Sequence, residues 1–242
     1  MRMKHDVLKE ITEGPTYQSN IQFEENDLAA DISEIPTANY QPTISLIGLD
    51  KIKKNYNIAV YDLETSNLGL DSAEILQLSA ASIPSDVNQS SLFDEFVMPL
   101  NGIATHASRA NSLTVLAGSL LYKCQPVKTT TLVECLKRFL LYLKSLTHDK
   151  TLLVAHNSKV FDARILVKAF GVANLLEEFE SQVLGFVDTL PLFRDILPGQ
   201  TSYKQENLVS NIMEVFYEAH NGLEDVKALR DLLMHTMPSE TQ

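Results

Sequence analysis

The chain has 242 residues, of which 45% are apolar, and a formal net charge of −11. Its two cysteines provide neither a disulfide framework nor a metal-ligand spacing, and no apolar run approaches the roughly 20 residues of a membrane span. We therefore expect an intracellular protein of the nucleus or cytoplasm, neither secreted nor membrane-bound, with one folded domain plus an extension.

The first fifty residues are polar and acidic, with nine acidic side chains, three basic ones and no sustained periodicity. Such composition is typical of disordered or loosely docked segments. We predict an N-terminal extension over residues 1–50 and a folded domain over residues 51–238.

The first motif follows a predicted central strand. Residues 57–61 are apolar and partly β-branched, and Asp62 and Glu64 follow at a period of two, so both carboxylates leave the strand on one face. Alternation over residues 74–84 and 92–99 predicts two further strands that form an antiparallel meander with the first.

A helix is predicted over residues 130–146, and its apolar stripe is assigned to the core. The stripe comprises Leu132, Val133, Leu136, Phe139, Leu140 and Leu143.

The second motif follows another apolar strand, residues 152–155. We expect a helix to start at residues 156–158, with Asn157 or Ser158 as N-cap and Asp162 one turn inside. A strand at 184–188 and a helix at 204–217 complete the alternating pattern.

The third motif precedes the last helix. Asn221 and Glu224 have the spacing of a capping box, which places Asp225 in the first helical turn and His220 on the preceding loop.

Four carboxylates and one imidazole are the side chains that a two-metal phosphodiesterase requires. Two divalent ions about 3.5–4 Å apart activate the attacking water and stabilise the leaving oxygen. A histidine with an ordinary pKa near 6.5 can then take the water's proton. Each motif alone has a simpler interpretation, because Asp-x-Glu is common and His220 could be an ordinary loop histidine. The ordered conjunction favours the catalytic one.

These motifs resemble those of the DnaQ-like, or DEDDh, 3′-5′ exonucleases. The matching segments are Asp62-Leu63-Glu64-Thr65, His156-Asn157 with Phe161-Asp162, and His220 with four residues before Asp225. The resemblance implies an α/β fold of ribonuclease H-like architecture, with a mixed five-stranded sheet flanked by helices.

It also implies residue roles. Asp62, Glu64, Asp162 and Asp225 would bind two Mg²⁺ ions, for which Mn²⁺ could substitute, and His220 would be the general base. Glu64, Thr65, Leu68 and His220 would contact the terminal nucleotide. Family members usually carry a glycine-bearing turn after the first motif, and Ser66-Asn67 replaces it here. Since Asn tolerates a positive φ, we expect the turn to survive.

Residues 185–199 resemble the exonuclease-like domain of the long promyelocytic leukaemia protein isoform, and the mechanism is similar to that of the three-prime repair exonucleases. The implied partner is a nucleic acid 3′ end, with DNA favoured over RNA. Residues 51–242 hold 17 basic and 22 acidic side chains, which predicts few phosphate contacts away from the terminal nucleotides. A protein-interaction module without strong catalysis and an exoribonuclease are the alternatives. Oligomeric state is open, a homodimer included.

Overall fold

The computed structural model describes residues 56–83 and 91–236. The predicted extension over residues 1–50 lies outside these ranges, as do both ends of the predicted folded domain. Its boundaries at residues 51 and 238 therefore stay predictions.

A mixed sheet forms the centre of the described part of the chain. Its strands are β1 (Asn57–Thr65), β2 (Ile75–Ile83), β3 (Leu92–Val97), β7 (Thr129–Thr130), β8 (Thr151–Ala155) and β9 (Val183–Asp188). Within the described residues their order is β7-β3-β2-β1-β8-β9. The first three strands are antiparallel neighbours, while β8 runs parallel to β1 and β9 runs parallel to β8. The predicted meander and the mixed sheet are confirmed.

Helices cover both faces of this sheet, as predicted. They are α1 (Thr105–Asn111), α2 (Leu132–Lys144), α3 (Asp162–Val172), α4 (Leu176–Gln182), α5 (Thr189–Ile196), α6 (Gln205–Met213) and α7 (Gly222–Thr236). A second, antiparallel sheet, in the order β4-β5-β6, consists of β4 (Leu113–Leu116), β5 (Ser119–Tyr122) and β6 (Gln125–Pro126).

Strand β1 is apolar along its first half because it is covered on both faces. Ala59 and Tyr61 enter the core beneath α2, α3 and α4, whereas Val60 enters the core beneath α5, α6 and α7. Side chains alternate along a strand, so Asp62 and Glu64 continue the row of Val60. The acids of the first motif therefore lie on the α7 side of the sheet.

Three details differ from the sequence predictions. The main sheet has a sixth strand, because the two residues of β7 pair with β3 at its edge and are too few to show a period. Val133 in the predicted stripe of α2 is 42% exposed, although Leu136, Phe139, Leu140 and Leu143 are buried. The helix predicted to reach residue 217 ends at Met213, since Glu214 adopts a left-handed backbone with φ of 56°.

The start of α3 is a further correction. Residues 156–161 form turns, and the helix begins at Asp162 itself. Asn157 has φ of 55°, a left-handed value that interrupts a right-handed helix. Asp162 is therefore the first helical residue, where the unpaired backbone N–H groups favour a carboxylate.

Among the described residues, the helices are too short or too polar to cross a membrane. The nuclear or cytoplasmic location stays a prediction.

A substitution at Phe139 tests which residues form the core on the α2 side of the sheet. Its ring is fully buried and lies against Phe93, Tyr142 and Phe170. Phe139→Ala should lower the free energy of unfolding by about 3–5 kcal/mol, because it removes apolar contacts and leaves a cavity. Val133→Ala, on the exposed face of the same helix, is the control and should cost well under that. Urea unfolding measures both, and equal losses would contradict the assigned core.

Candidate active site

Three of the four predicted acids converge at the centre of the main sheet. Asp62 and Glu64 project from β1, and Asp225 lies in the first turn of α7, which packs on β1 and β2. Each of the three carboxylates offers one oxygen within 4.8 Å of the other two. Glu64 and Asp225 are buried, and Asp62 is partly exposed. We call Asp62, Glu64 and Asp225 the acid cluster.

The helix carrying Asp225 approaches the sheet at Gly222. A Cβ atom at this position would lie 2.7 Å from the Ser79 hydroxyl oxygen, so only glycine fits without a shift. The Gly222 backbone N–H donates to the Gln77 Oε1 atom at 3.2 Å. The side chains of Gln77 and Ser79 in turn donate to Asp94 Oδ1 at 2.8 and 2.7 Å. Strands β2 and β3 thus fix where α7 begins.

The N-cap hydrogen bond predicted at the start of α7 is present. Asn221 Oδ1 accepts from the Glu224 backbone N–H at 3.3 Å, and Asp225 lies in the first helical turn. The Glu224 carboxylate contacts Lys227 Nζ at 2.8 Å. Since a helix start carries partial positive charge, this position stabilises the Asp225 carboxylate.

Two side chains that sequence reasoning missed hold Asp225. The Tyr217 hydroxyl donates to Asp225 Oδ1 at 2.8 Å. The Gln205 amide Nε2 donates to the Asp225 backbone oxygen at 2.9 Å and lies 3.0 Å from the Tyr217 hydroxyl oxygen. Burial, followed by the Asp225 charge, raises the pKa of Tyr217, so the phenol keeps the proton it donates. Sequence reasoning gave neither residue a role in the site.

Asn111 is a third residue near the acid cluster to which sequence reasoning gave no role. It is buried at the end of α1, and its Nδ2 atom donates to the Thr65 backbone oxygen at 3.3 Å. Its hydrogen bond also lowers the pKa of Glu64 against the larger opposing effect of burial. Asn111 therefore stabilises the ionised form of a cluster member.

Asp162 lies beside the acid cluster but not within it. It is buried at the start of α3, and its Oδ1 atom has no hydrogen-bond partner. Burial, with added repulsion from Asp188, raises the pKa of Asp162 to about 8. Its charge also raises the pKa of Asp62, which places the two carboxylates in one electrostatic neighbourhood.

The cluster itself is electrostatically unfavourable. Burial and repulsion from Asp225 and Glu64 raise the pKa of Asp62 well above its ordinary value. Burial and repulsion from Asp225 do the same to Glu64, whose Oε2 atom is buried without a hydrogen-bond partner. Burial raises the pKa of Asp225 to about 7 although Tyr217 and two backbone N–H groups lower it. Two buried carboxylate oxygens without hydrogen-bond partners, Glu64 Oε2 and Asp162 Oδ1 beside the cluster, suit a hard divalent cation.

His220 lies on the turn directly before α7, where the sequence predicts it. Its backbone has φ of 66° and its side chain is partly buried. Burial lowers the pKa of the imidazole, with nearby Glu206 acting in the opposite direction. The neutral ring, which can accept a proton, is therefore favoured at neutral pH.

The turn after β1 explains how Asn67 replaces the usual glycine. Asn67 does not adopt the expected positive φ. Its Oδ1 atom instead accepts from the Gly69 backbone N–H at 2.8 Å and from the Ser72 hydroxyl at 3.0 Å. Side-chain hydrogen bonds thus hold the turn, and the predicted reason for its survival is wrong.

The two predicted nucleotide contacts on this turn have other partners in the structure. The Thr65 hydroxyl is buried and donates to the Asn67 backbone oxygen at 2.9 Å. Leu68 is partly buried and packs against the core on the α2 side of the sheet. Their contact with a terminal nucleotide stays a prediction.

His156 and Asp188 hold the scaffold around the second motif. His156 is buried between the Thr189 hydroxyl, 2.9 Å from Nδ1, and the Tyr203 carbonyl oxygen, 2.8 Å from Nε2. Because a carbonyl only accepts, Nε2 carries the proton. Asp188 caps α5 by accepting from the Leu190 N–H at 2.9 Å. These contacts give His156 a structural role beside the second motif.

The raised carboxyl pKa values predict a pH-dependent stability without divalent ions. The protonated carboxyl group of Asp162 stabilises the fold relative to the ionised one. This stabilisation is fully present below the ordinary aspartate pKa of 3.8 and is lost as the pH rises to the folded-state pKa of about 8. In EDTA, the Tm of Asp162→Asn minus that of the wild type should therefore increase between pH 5 and pH 8. Asp71→Asn, at an exposed aspartate, is the control. A pH-independent difference for Asp162→Asn would contradict this electrostatic account.

Comparison with known structures gives the fold. Exonuclease I in its zinc-bound complex with single-stranded DNA from E. coli is 15% identical, with a TM-score of 0.58 over 74% of this chain and 40% of that chain. Exonuclease I from Methylocaldum szegediense is 16% identical, with a TM-score of 0.58 over 76% of this chain and 41% of that chain. This chain thus spans about two fifths of the length of these exonucleases. At such low identity, the likeness establishes the exonuclease fold alone.

Comparison with curated protein sequences found no match. A family model, the Exuperantia RNAse H-like domain, matches residues 56–213. The matched segment includes Asp62, Glu64 and Asp162 and ends before His220 and Asp225. It spans more than half of the chain and nearly all of the described part before α7. With the ribonuclease H-like sheet and its flanking helices, this match shows that the chain belongs to the Exuperantia RNase H-like domain family.

Proposed function

We propose that this protein is a metal-dependent 3′-5′ exonuclease that releases nucleoside 5′-monophosphates from a nucleic acid end. The observation that carries the proposal is the convergence of Asp62, Glu64 and Asp225, whose oxygens lie within 4.8 Å of one another. Such a cluster of mutually repelling carboxylates is unfavourable without a counter-charge, and many nucleases use a pair of divalent cations for phosphodiester cleavage. The fold shared with exonuclease I supports the same reaction class.

The carboxylates of Asp62, Glu64, Asp225 and the adjacent Asp162 would hold the cations. Two Mg²⁺ or Mn²⁺ ions would supply charge stabilisation to the phosphoryl and leaving oxygens. His220 acts as the general base, taking the proton of the attacking water through its neutral imidazole. Glu64, Thr65, Leu68 and His220 would contact the terminal nucleotide, as the resemblance to the exonucleases implies.

DNA is the proposed substrate in preference to RNA. Exonuclease I of the same fold has been solved with single-stranded DNA, and the proposed similarity to the three-prime repair exonucleases and to the promyelocytic leukaemia protein domain points to the same substrate. Discrimination against RNA depends on contacts to the 2′-hydroxyl. Oligonucleotides of matched DNA and RNA sequence, labelled at the 5′ end, therefore decide between the substrates in a single time course.

Asp62→Asn should abolish the shortening of a 5′-labelled oligonucleotide in Mg²⁺ or Mn²⁺. The substitution keeps the shape of the side chain and removes the negative charge that binds a cation. Asp71→Asn, at an exposed aspartate outside the acid cluster, is the matched control and should retain wild-type activity. EDTA should stop the wild-type reaction. Undiminished cleavage by pure Asp62→Asn protein would exclude the mechanism.

His220→Ala should lower kcat by roughly 10²–10⁴-fold if the imidazole is the general base. Because burial lowers the pKa of His220 below the ordinary 6.5, wild-type activity should persist below that pH and fall only on further acidification. The measurement is kcat against pH at saturating Mn²⁺, and the variant should lack this acidic limb. His148→Ala, at a histidine outside the site, is the control. An identical limb in His220→Ala would assign the titration to another group.

A protein-interaction module built on an exonuclease fold is the second candidate. Two observations favour it: Asp162 lies outside the 4.8 Å cluster, and the family model ends before the third motif. Under this alternative, the wild-type chain leaves DNA and RNA oligonucleotides intact in both Mg²⁺ and Mn²⁺. Release of mononucleotides from either substrate excludes it.

A further inference from the structure

We infer that Tyr217 and Gln205 form a positioning pair that sets the Asp225 carboxylate for cation binding. This inference rests on the proposed function, because it assigns the two residues a role in the same site. Neither side chain belongs to the acid cluster. Both contact its member on α7, Asp225, through hydrogen bonds of defined direction.

The direction follows from the donor and acceptor capacity of each group. An amide nitrogen only donates, so Gln205 Nε2 donates to the Tyr217 hydroxyl oxygen at 3.0 Å. The single phenolic proton is then directed to Asp225 Oδ1 at 2.8 Å. The chain of donors runs from Gln205 through Tyr217 to the carboxylate. An ionised Asp225 carboxylate, which can only accept hydrogen bonds, therefore accepts one from the phenolic O–H of Tyr217.

The pair also fixes where Asp225 lies. Gln205 is the first residue of α6, is only 4% exposed, and donates to the Asp225 backbone oxygen at 2.9 Å. Its Nε2 atom lies 3.4 Å from Asp225 Oδ1 as well. One amide group therefore joins the start of α6 to the first turn of α7, through both the backbone and the side chain.

The consequence concerns the orientation of the carboxylate. An ionised carboxylate has about four lone-pair positions, and the Tyr217 hydroxyl occupies one of them. Backbone N–H groups of His220 and Asn221 donate to the same carboxylate, and one of its oxygens lies within 4.8 Å of an oxygen of Asp62 and an oxygen of Glu64. Groups that orient a metal ligand in this way typically contribute about 10–100-fold to metal affinity. Tyr217 is thus a positioning residue whose loss should weaken cation binding before it affects folding.

The test is Mn²⁺ binding to the full chain, measured by titration calorimetry without substrate. Tyr217→Phe should raise the Kd for Mn²⁺ by about 10–100-fold, because it deletes only the hydroxyl. Tyr142→Phe is the matched control: its hydroxyl is also hydrogen-bonded, to the Ser91 backbone oxygen at 3.3 Å, but it lies in the core beneath α2. Its Kd should equal that of the wild type. Thermal unfolding in EDTA shows that each variant folds.

Gln205→Met provides a second variant of similar size that lacks the amide donor. It should also raise the Kd, and it keeps the inference open to refutation if Tyr217→Phe fails to fold. High Mn²⁺ should restore part of the nuclease activity of Tyr217→Phe, whereas a purely structural defect would not respond to the cation.

The outcomes distinguish a failure of the proposed metal site from a failure of the positioning pair. If the wild type binds Mn²⁺ and Asp62→Asn does not, the proposed metal site stands. A Kd for Tyr217→Phe or Gln205→Met within twofold of the wild type then overturns only the positioning pair. If the wild type shows no Mn²⁺ binding that depends on Asp62, the proposed function fails and the positioning pair fails with it.

Discussion

The close approach of three carboxylates at a largely buried site is the constraint on which the rest of the structure depends. Asp62 and Glu64 lie on one face of a central strand, and Asp225 is directed at them from the start of a helix. Burial disfavours ionisation of all three carboxyl groups and is the main reason that their pKa values rise, and repulsion within the cluster adds to it at Asp62 and Glu64. A protein keeps such a cluster only when other contacts stabilise the surrounding structure.

Those contacts come from both sides of the helix start. On the sheet side, Gly222 permits close approach and donates to Gln77, which is itself held by Asp94. On the helix side, Gln205 and Tyr217 bind the Asp225 backbone and carboxylate. Backbone position and carboxylate orientation are thus set by separate hydrogen bonds. A cation that binds the cluster meets a preorganised ligand and loses less entropy than with a mobile one.

Local sequence patterns were sufficient to predict several elements of the fold and part of the candidate site. The period of two across Asp62 and Glu64 depends only on strand geometry, and the cap at Asn221 depends only on four consecutive residues. The start of α3 could not be predicted in the same way. Asn157 and Ser158 are good capping residues, but Asn157 adopts a left-handed backbone and the helix starts at Asp162.

By itself, the sequence determined which residue types were present and how each lay on its own strand or helix, because side-chain direction follows local periodicity. It thereby identified the carboxylates and the histidine as a set. Only the tertiary structure decided that Asp225 meets Asp62 and Glu64 while Asp162 lies beside them. The contacts of Tyr217 were also decided at that level. These relations depend on how helices pack on a sheet, and segments far apart in the chain carry no local signal of that packing.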